Sequence, residues 1–398
     1  MSTGDRINIR TPEVMLEVQA QVESHYHSHL VNTLRAEGGT MITGKTTIRL
    51  AKQFGFCYGV ERAIDLAYAA TKVFVGNRIF LLGEIIHNPD VNAQMQSLGI
   101  RHLHARPTSS DFEEIGTGDI VVVPAFGAET ETIEKIKSRG CRIVDTTCGD
   151  VMSVWKRVRQ NAREGVTSII HGKSSHEETL ATASRARGAD GSGRYLVVFD
   201  LEEAEFVSRF IEGGGDPKEF MKRFGSVSSP GFDPVRDLIR IGLANQTTML
   251  RSETEAIQSR LRDAIAKRDH GDTSSFRVFD TICGATQERQ DSLFELLDKT
   301  LDLLVVVGGY NSSNTTHLVE IGTQRIPSWF IRNASCLVSK DEIRHYDIHI
   351  KQEITSTGWL PESSSLSIGI TAGASCPNNL IEDAIRRILE LRGEKPPV

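Results

Sequence analysis

The sequence has no pair of cysteines at the C-x-x-C spacing, no block of like charges and no apolar run long enough to span a bilayer. Its six cysteines are widely separated, at positions 57, 141, 148, 283, 336 and 376. This spacing fits neither a zinc finger nor a ferredoxin-type cluster motif. Any site that several of these cysteines share must therefore be assembled by the fold.

Charge and targeting signals are also weak. Charged residues make up 25% of the 398 residues and the formal net charge is -6, which does not indicate a nucleic-acid partner. The N-terminus lacks a basic region followed by an apolar core, and its acidic residues argue against a transit peptide. We therefore expect a soluble cytoplasmic protein without membrane contact, in which disulfides do not form.

Residues 1–45 form an N-terminal extension in this interpretation. We expect one amphipathic helix there, and its candidate packing residues are Val14, Leu16, Val18, Val22 and Leu30.

Short β-rich runs alternate with helical patterns along most of the chain, which predicts a parallel α/β architecture. The clearest runs are RIFLLGE, DIVVVPAFG, VTSIIHG, RYLVVF, LIRIGLA, LDLLVVVGG and LSIGITAG. Most of them end in small or polar residues before a helical stretch. Polar loops therefore gather at the carboxyl ends of the strands, where α/β sheets bind ligands.

A threefold repeat begins at three of the cysteines. The segments FGFCYGVERA, DTTCGDVMSV and DTICGATQER each place a cysteine and a nearby glycine before a helical pattern, at Cys57, Cys148 and Cys283. A polar cluster follows each cysteine, after 30, 28 and 28 residues respectively. We expect three pseudo-symmetric α/β domains around one centre: 46–147, completed by 376–398; 148–282, with an insertion near 203–238; and 283–375. The glycines at 213–215 and the segment up to Pro234 indicate that this insertion is rich in loops.

These three cysteines are candidate metal ligands. A lone cysteine before a helix is commonly a small buried hydrophobe, but three in one local context favour a shared site. Thiolates at helix N-termini, converging from three domains, would hold three irons of one 4Fe-4S cluster and leave the fourth open to a substrate oxygen. Cys141, Cys336 and Cys376 lack this context, so we expect them to be structural.

Four polar loops join a strand to a helix: SSHEET around His176, NQTTM around Thr247, YNSSNTTH around Ser312 and TAGASCPNN around Ser375. Their hydroxyls, amides and backbone N–H groups could bind a diphosphate, or they could simply cap helices. Glu178 is a candidate proton carrier, and Glu177 is its rival.

A P-loop expression occurs at Gly39–Thr46 but lacks the required context. A true P-loop follows a buried strand and opens a helix, whereas LVNTLRAEG precedes this segment and the β-like TTIRLAK follows it. We therefore do not expect Lys45 to bind a nucleotide.

At FGFCYGVERA, GEIIHNPDV, DTTCGDV, SHEET, NQTT, NSSN and TAGAS, the chain resembles the 4-hydroxy-3-methylbut-2-enyl diphosphate reductases of the IspH/LytB family. The resemblance runs from about Thr46 to the C-terminus, with the motifs in the family's order. It implies a trefoil of three α/β domains around one 4Fe-4S cluster held by Cys57, Cys148 and Cys283. The implied reaction removes the substrate's hydroxyl reductively and yields isopentenyl and dimethylallyl diphosphate, in the methylerythritol phosphate pathway of isoprenoid synthesis. An external ferredoxin- or flavodoxin-type donor would supply the electrons.

The resemblance also implies roles for the polar residues. Glu178 and Thr247 would serve a proton relay, with Gln246 as a neighbour. The diphosphate would be held by His87, His176, Ser312, Ser313, Asn314 and Ser375.

One departure from the family pattern is Phe126, where many bacterial members have histidine in an Ala-His-Gly loop. Phenylalanine cannot donate to a phosphate oxygen. Together with the long extension and the insertion, this suggests the plant and cyanobacterial branch. The alternatives are another three-cysteine cluster enzyme, of the quinolinate synthase kind, and a non-redox phosphate-binding α/β protein.

Overall fold

The computed structural model describes residues 8–104, 110–279 and 281–396, so Asp280 of the DTICG segment lies outside the described residues. The chain divides into two compact units. Unit 1 comprises Met1–His102 and Gly284–Val398, and unit 2 comprises Leu103–Cys283. Parallel strands connected by helices occur in both, which confirms the predicted α/β class. The three-domain boundaries stay a prediction.

The helices are, in chain order, α1 (Pro12–Tyr26), α2 (His29–Ala36), α3 (Tyr58–Val73), α4 (Pro89–Ser97), α5 (Thr130–Ser138), α6 (Gly149–Arg163), α7 (Glu177–Ala186), α8 (Leu201–Gly213), α9 (Pro217–Phe224), α10 (Pro234–Asp237), α11 (Arg251–Arg268), α12 (Gly284–Leu297), α13 (Ser313–Thr323) and α14 (Asn378–Arg392). Within the described residues, none of them is both long enough and apolar enough to cross a membrane.

The strands are β1 (Thr40–Thr43), β2 (Thr46–Leu50), β3 (Ile79–Leu82), β4 (Arg101–Leu103), β5 (Ile120–Val123), β6 (Arg142–Asp145), β7 (Thr167–His171), β8 (Tyr195–Val198), β9 (Ile241–Asn245), β10 (Phe276–Val278), β11 (Leu303–Val307), β12 (Ser328–Ile331), β13 (Glu342–Asp347), β14 (Gln352–Thr357) and β15 (Leu366–Ala372). All seven strands predicted from apolar runs are present, as β3, β5, β7, β8, β9, β11 and β15.

Unit 1 contains a five-stranded sheet in the order β1-β2-β15-β11-β12. Only β1 is antiparallel to its neighbour. All five residues of the interior strand β11, Leu-Leu-Val-Val-Val, are buried. Such a continuous apolar run is expected of a parallel strand that is covered on both faces.

The segment resembling a P-loop is part of a β-hairpin in this sheet. Gly44 and Lys45 form the turn between β1 and β2, where Gly44 adopts a φ of 55°. The backbone N–H of Lys45 donates to the Glu394 carboxylate at 3.0 Å. The segment therefore leads from one strand into another and not from a strand into a helix, which confirms the predicted lack of a P-loop context. That Lys45 binds no nucleotide stays a prediction.

The N-terminal extension does not form the single helix expected from its pattern. It contains two helices, α1 and α2, because Ser28 begins a new helix by accepting the Val31 N–H at 2.9 Å. Val18 and Leu30 are buried as expected, but Leu16 is 72% exposed, so its predicted packing role is wrong. The extension packs on the rest of unit 1 through α3 and α14.

Unit 2 contains the parallel sheet β10-β9-β7-β8 and the parallel pair β5 and β6. The insertion near 203–238 is more helical than its sequence predicts, because part of the segment from Gly213 to Pro234, which we expected to be a loop, forms α9. It carries α8, α9 and α10, and a cluster of phenylalanines joins it to the core of the sheet. Phe220 packs at 4.9 Å between ring centroids against both Phe210 and Phe224. Glycine and proline mark the ends of these helices, and this made the region resemble a loop.

Ser28 provides a test of how firmly the extension is attached. Its hydroxyl is buried, caps α2 and donates to Glu382 of α14 at 2.5 Å. Ser28→Ala removes both hydrogen bonds, so we expect the free energy of unfolding to fall by about 1–2 kcal/mol in chemical denaturation.

Ser24→Ala is the matched control, because the Ser24 hydroxyl is exposed and, among the described residues, bonds only to the Gln21 carbonyl of its own helix. It should change stability by less than about 0.5 kcal/mol. Equal losses in the two variants would contradict the assigned role of Ser28.

Candidate active site

The three cysteines of the sequence repeat occupy the same local backbone arrangement. Each directly precedes a helix, and each follows a strand, β2, β6 or β10, that lies parallel beside the strand β15, β5 or β9. The cysteine N–H donates to a carbonyl two residues beyond the end of that neighbouring strand. These hydrogen bonds join Cys57 to Ala374 (3.3 Å), Cys148 to Ala125 (2.8 Å) and Cys283 to Thr247 (3.1 Å).

The thiols in these positions suit metal ligation. All three cysteines are half-buried and none is in a disulfide. Cys57 and Cys148 occupy the N-cap positions of α3 and α6, yet their side chains make no capping hydrogen bond. A helix N-terminus favours the thiolate form, which binds iron. The residues present therefore fit an iron–sulfur cluster.

The other three cysteines have different surroundings. Cys336 and Cys376 are buried, and burial raises the pKa of the Cys376 thiol. The Cys141 thiol donates to the Gly116 carbonyl at 3.4 Å. Hydrogen-bonded or apolar surroundings of this kind match the structural role expected for them.

Two arginines hold the turn that leads to Cys57. Arg35, from the N-terminal extension, donates to the Phe54 carbonyl at 2.5 Å and stacks on the Phe54 ring. Arg289 of α12 donates to the next carbonyl, that of Gly55, at 2.6 Å. The backbone before this cysteine is thus fixed by side chains from two distant parts of the sequence.

His87 of unit 1 belongs to a polar cluster with Glu84 and Asn311. The Glu84 carboxylate lies 3.0 Å from His87 Nδ1 and accepts from the Asn311 amide at 2.7 Å. Burial raises the pKa of Glu84, but hydrogen bonds to His87 and Asn311 outweigh this, and the net pKa lies below the usual value. The ionised carboxylate can therefore hold the imidazole in one orientation.

The predicted residue Ser375 lies in the same cluster, because its hydroxyl donates to the His87 carbonyl at 3.1 Å. Gly309 lies against the same His87 carbonyl. A Cβ at position 309 would lie 2.2 Å from the His87 carbonyl oxygen, so no larger residue fits there.

Ser312, Ser313 and Asn314 stand at the start of α13. Ser312 is its N-cap and accepts the Thr315 N–H at 3.4 Å. Asn314 is 3% exposed, and its Oδ1 accepts the Ala374 N–H at 2.9 Å. Its Nδ2 is buried and has no partner among the described residues. A buried donor without a partner is costly, and a phosphate oxygen would satisfy it.

In unit 2, the two predicted proton-relay residues contact each other. Glu178 Oε1 accepts the Thr247 N–H at 2.6 Å, and Oε2 accepts the Thr247 hydroxyl at 3.0 Å. His176 is the N-cap of α7, and its Nδ1 accepts the Glu178 N–H at 3.1 Å. All three side chains are buried. The rival Glu177 is exposed, which favours Glu178 as the residue facing the site.

Gln246 connects the NQTT loop with the loop that carries His176. Its Oε1 accepts the Lys173 N–H and the Thr179 hydroxyl, each at 3.2 Å. This side chain therefore fixes the spacing between the loops of Glu178 and Thr247.

Phe126 contacts the candidate site although it cannot donate a hydrogen bond. Its ring lies 6.3 Å from the His176 ring, at an interplanar angle of 71°. The position is three residues after β5, in the loop that also fixes Cys148. An apolar ring thus lies beside His176 at position 126.

Asn311 belongs to the polar cluster that the sequence indicated 28 residues after Cys283. Three contributing residues were not found from the sequence: Glu84, Arg35 and Arg289. Glu84 could have been recognised, since it lies three residues before His87 in GEIIHN and a second-sphere carboxylate commonly orients a functional histidine. No sequence signal identified the two arginines, because their partners are backbone carbonyls.

Comparison with known proteins gives consistent matches. The family model described as LytB protein matches residues 48–389. The 4-hydroxy-3-methylbut-2-enyl diphosphate reductase of Gloeobacter violaceus is 48% identical over 95% of this chain and 90% of its own length. That of Synechococcus sp. is 46% identical over 98% of this chain and 96% of its own length. The predicted similarity to cyanobacterial members is confirmed.

Two solved structures are also similar. One, described as (E)-4-hydroxy-3-methyl-but-2-enyl diphosphate reductase, the terminal enzyme of the non-mevalonate pathway, is 26% identical, with a TM-score of 0.53 over 86% of this chain and 99% of its own. The other, E-1-hydroxy-2-methyl-but-2-enyl-4-diphosphate reductase from Plasmodium falciparum, has a TM-score of 0.63 over 86% of this chain and 87% of its own. At 21% identity, it supports the fold alone.

The shared backbone arrangement predicts that Cys57, Cys148 and Cys283 act as one set. Serine is a poor substitute for a thiolate ligand, so each Cys→Ser variant, purified anaerobically, should lose most of its iron and sulfide.

Cys141→Ser and Cys376→Ser are the controls and should keep their iron. Cys376→Ser should lower stability by about 1–3 kcal/mol, because it buries a hydroxyl. A full iron content in Cys283→Ser would contradict the assignment.

Proposed function

The chain belongs to the LytB protein family, and we propose that it reduces 4-hydroxy-3-methylbut-2-enyl diphosphate to isopentenyl and dimethylallyl diphosphate. In this reaction the C–O bond to the hydroxyl breaks, a C–H bond forms and water leaves, with the uptake of two electrons and two protons. The observation that carries the proposal is the buried Glu178–Thr247 pair, since cleavage of this bond requires a proton source. The matching relatives favour this reaction over one of the quinolinate synthase kind.

Cys57, Cys148 and Cys283 would hold one 4Fe-4S cluster. Support comes from the three repeated N–H to carbonyl hydrogen bonds, which place each cysteine in the same way at the start of a helix. Such a cluster, when bound, supplies electrons and a Lewis-acidic iron for the substrate hydroxyl. The polypeptide must position the substrate, exclude water and deliver protons.

The diphosphate group would be bound by the polar residues that the sequence indicated. In unit 1, Ser312, Ser313 and Asn314 start α13, where backbone N–H groups and the helix dipole favour an anion. His87 and Ser375 are linked to each other beside this helix start. His176, the N-cap of α7, would be the contribution of unit 2. Phe126 would leave the diphosphate with one donor fewer than in many bacterial members.

Glu178 would carry a proton to the leaving hydroxyl. Its two oxygens accept from the Thr247 backbone and side chain, which fixes the carboxyl group. The Thr247 hydroxyl can donate to Glu178 and accept from another group, so it can pass on a proton. The chain would act in the cytoplasm, with an external ferredoxin- or flavodoxin-type protein as the electron source.

Anaerobic purification tests the proposal most directly. We expect a coloured protein with about four irons and four sulfides per chain, whose spectrum changes on adding the diphosphate substrate. With reduced methyl viologen it should form both products. A colourless protein that binds diphosphate without turnover would instead support a non-redox binding protein.

Glu178→Gln tests the proton carrier. Glutamine can still accept the Thr247 N–H but cannot supply an acidic proton. We therefore expect unchanged iron content and substrate binding, with kcat lower by about 100- to 10,000-fold.

Glu177→Gln is the matched control, and its exposed side chain predicts a mild effect. Loss of activity in this control, with normal turnover in Glu178→Gln, would shift the assignment by one residue. Normal turnover in both would mean that the proton comes from elsewhere.

Asn314→Asp tests the diphosphate site. Aspartate can still accept the Ala374 N–H, but it replaces the buried Nδ2 donor with a carboxylate oxygen that repels phosphate. KM should rise about 10- to 100-fold, corresponding to the loss of a hydrogen bond to a charged group.

The same substitution at Asn32, on α2 of the extension, adds the same charge away from the site and should leave KM unchanged. Equal KM values for wild type and Asn314→Asp would exclude this residue from the diphosphate site.

A further inference from the structure

Helix α6, which begins after Cys148, presents a row of exposed side chains that the proposed chemistry does not use. Met152, Lys156, Arg159 and Arg163 are all exposed. Their spacings of four, three and four residues place them on one face of the helix. We call these four residues the α6 stripe. From Met152 to Arg163 it extends about 16 Å along the helix axis.

The three cations of the α6 stripe are not neutralised. Among the residues that the structure describes, Lys156, Arg159 and Arg163 make no ion pair or hydrogen bond. Glu164, the acidic residue that directly follows α6, already has partners, because it pairs with Arg277 and accepts a hydrogen bond from Gln160. In a chain with a net charge of -6, three unpaired cations in one row form a distinct positive surface.

The helix dipole accounts for only part of this pattern. Basic residues near a helix C-terminus are stabilising, which can explain Arg163 in the last turn of α6. The effect is confined to about one turn, so it does not reach Lys156. It also gives no reason for the exposed Met152 in the first turn.

A cleft of about 590 Å³ adjoins the end of the stripe, and it is lined by Arg159, Arg163 and Arg185. Arg185 is 8% exposed, and its Nη1 donates to the Ala128 and Ala181 carbonyls. Its Nε is buried and has no partner among the described residues. Burial and the nearby Arg159 lower the pKa of Arg185 to about 10. The Arg185 guanidinium also lies over the Trp155 ring, at 3.4 Å from the ring centroid. A negatively charged group in this cleft would favour the charged forms of Arg185 and Arg159.

Carboxylates near the cleft would repel an anion, but two of them already have hydrogen-bond or ion-pair partners. Asp190 lines the cleft, but its carboxylate accepts from the backbone and the hydroxyl of Ser192. Glu131, the nearest acid on α5, pairs with Arg187. Asp150 in the first turn of α6 is the remaining exposed acid on this helix.

We propose that the α6 stripe is the docking surface for an acidic one-electron carrier protein. This rests on the proposed function, in which electrons come from outside. A protein fits better than a small anion, because the cations extend over two turns and Met152 adds an apolar contact. The stripe also starts one turn from Cys148, so a carrier bound there lies beside a cluster ligand.

The electron balance requires two encounters for each turnover. The carrier gives one electron per encounter and is oxidised, and two electrons with two protons break the C–O bond, form the C–H bond and release water. Each carrier must therefore leave quickly, which favours a charged and exposed docking surface over an apolar one.

The test compares two reductants in the double variant Lys156→Glu with Arg159→Glu. With a reduced plant-type ferredoxin at low ionic strength, KM for the ferredoxin should rise about 10-fold or more. The wild-type rate should fall with added salt, while the rate of the variant should depend much less on salt. With reduced methyl viologen, both proteins should turn over equally.

Lys218→Glu with Lys222→Glu is the matched control. Both lysines are exposed on α9 of the same unit, and the change in net charge is identical. The control should behave as wild type with both reductants. An equal rise of the KM for ferredoxin in the control, or an unchanged KM in the α6 variant, would contradict the proposal that the α6 stripe is the docking surface.

Binding of inorganic diphosphate tests the remaining alternative, in which the cleft is a site for a small anion. If diphosphate binds wild type and not the α6 variant, while ferredoxin kinetics stay the same in both, the cleft is a small-anion site and the proposal is wrong. Failure of wild type with both reductants would instead refute the proposed function.

Discussion

The hydrogen bond that each of the three cysteines donates through its own backbone N–H is the constraint on which the site depends. In all three cases the acceptor lies two residues beyond the end of the parallel strand beside the one that leads to the cysteine. The position of each thiol is therefore set by the sheet and not by a flexible loop. A site that holds iron needs ligands fixed in this way, because a small displacement of one sulfur weakens the whole set.

The same loops carry the residues for the substrate. Ala374 accepts from Cys57 through its carbonyl and donates to Asn314 through its N–H, so one residue joins a candidate metal ligand to a candidate diphosphate residue. Thr247 accepts from Cys283 and donates to Glu178. In both units, the backbone that fixes a cysteine also fixes a candidate substrate or proton-relay residue. A substitution at any of these loops should therefore change more than one property of the enzyme.

Much of this could be predicted from the sequence, because the information was local. Apolar runs identified seven strands, and cysteine–glycine pairs before helical patterns identified the repeat. Other features depended on contacts between distant segments. The pattern of the extension did not show that Ser28 begins a second helix, and the glycines and prolines near Gly213 concealed the helix at Pro217–Phe224. The sequence also did not show that Glu178 is buried while Glu177 is exposed.

Arg35 gives the N-terminal extension a thermodynamic role. Its guanidinium holds the Phe54 carbonyl while Arg289 holds that of Gly55, three and two residues before Cys57. Any group whose binding orders this turn also stabilises the docked position of α2, because the two equilibria share one hydrogen bond. Proteases would then cleave the extension more slowly in the metal-loaded protein than in the metal-free one. The rate at which proteases cleave the extension would thus depend on whether the site is occupied, although the extension contributes no ligand to it.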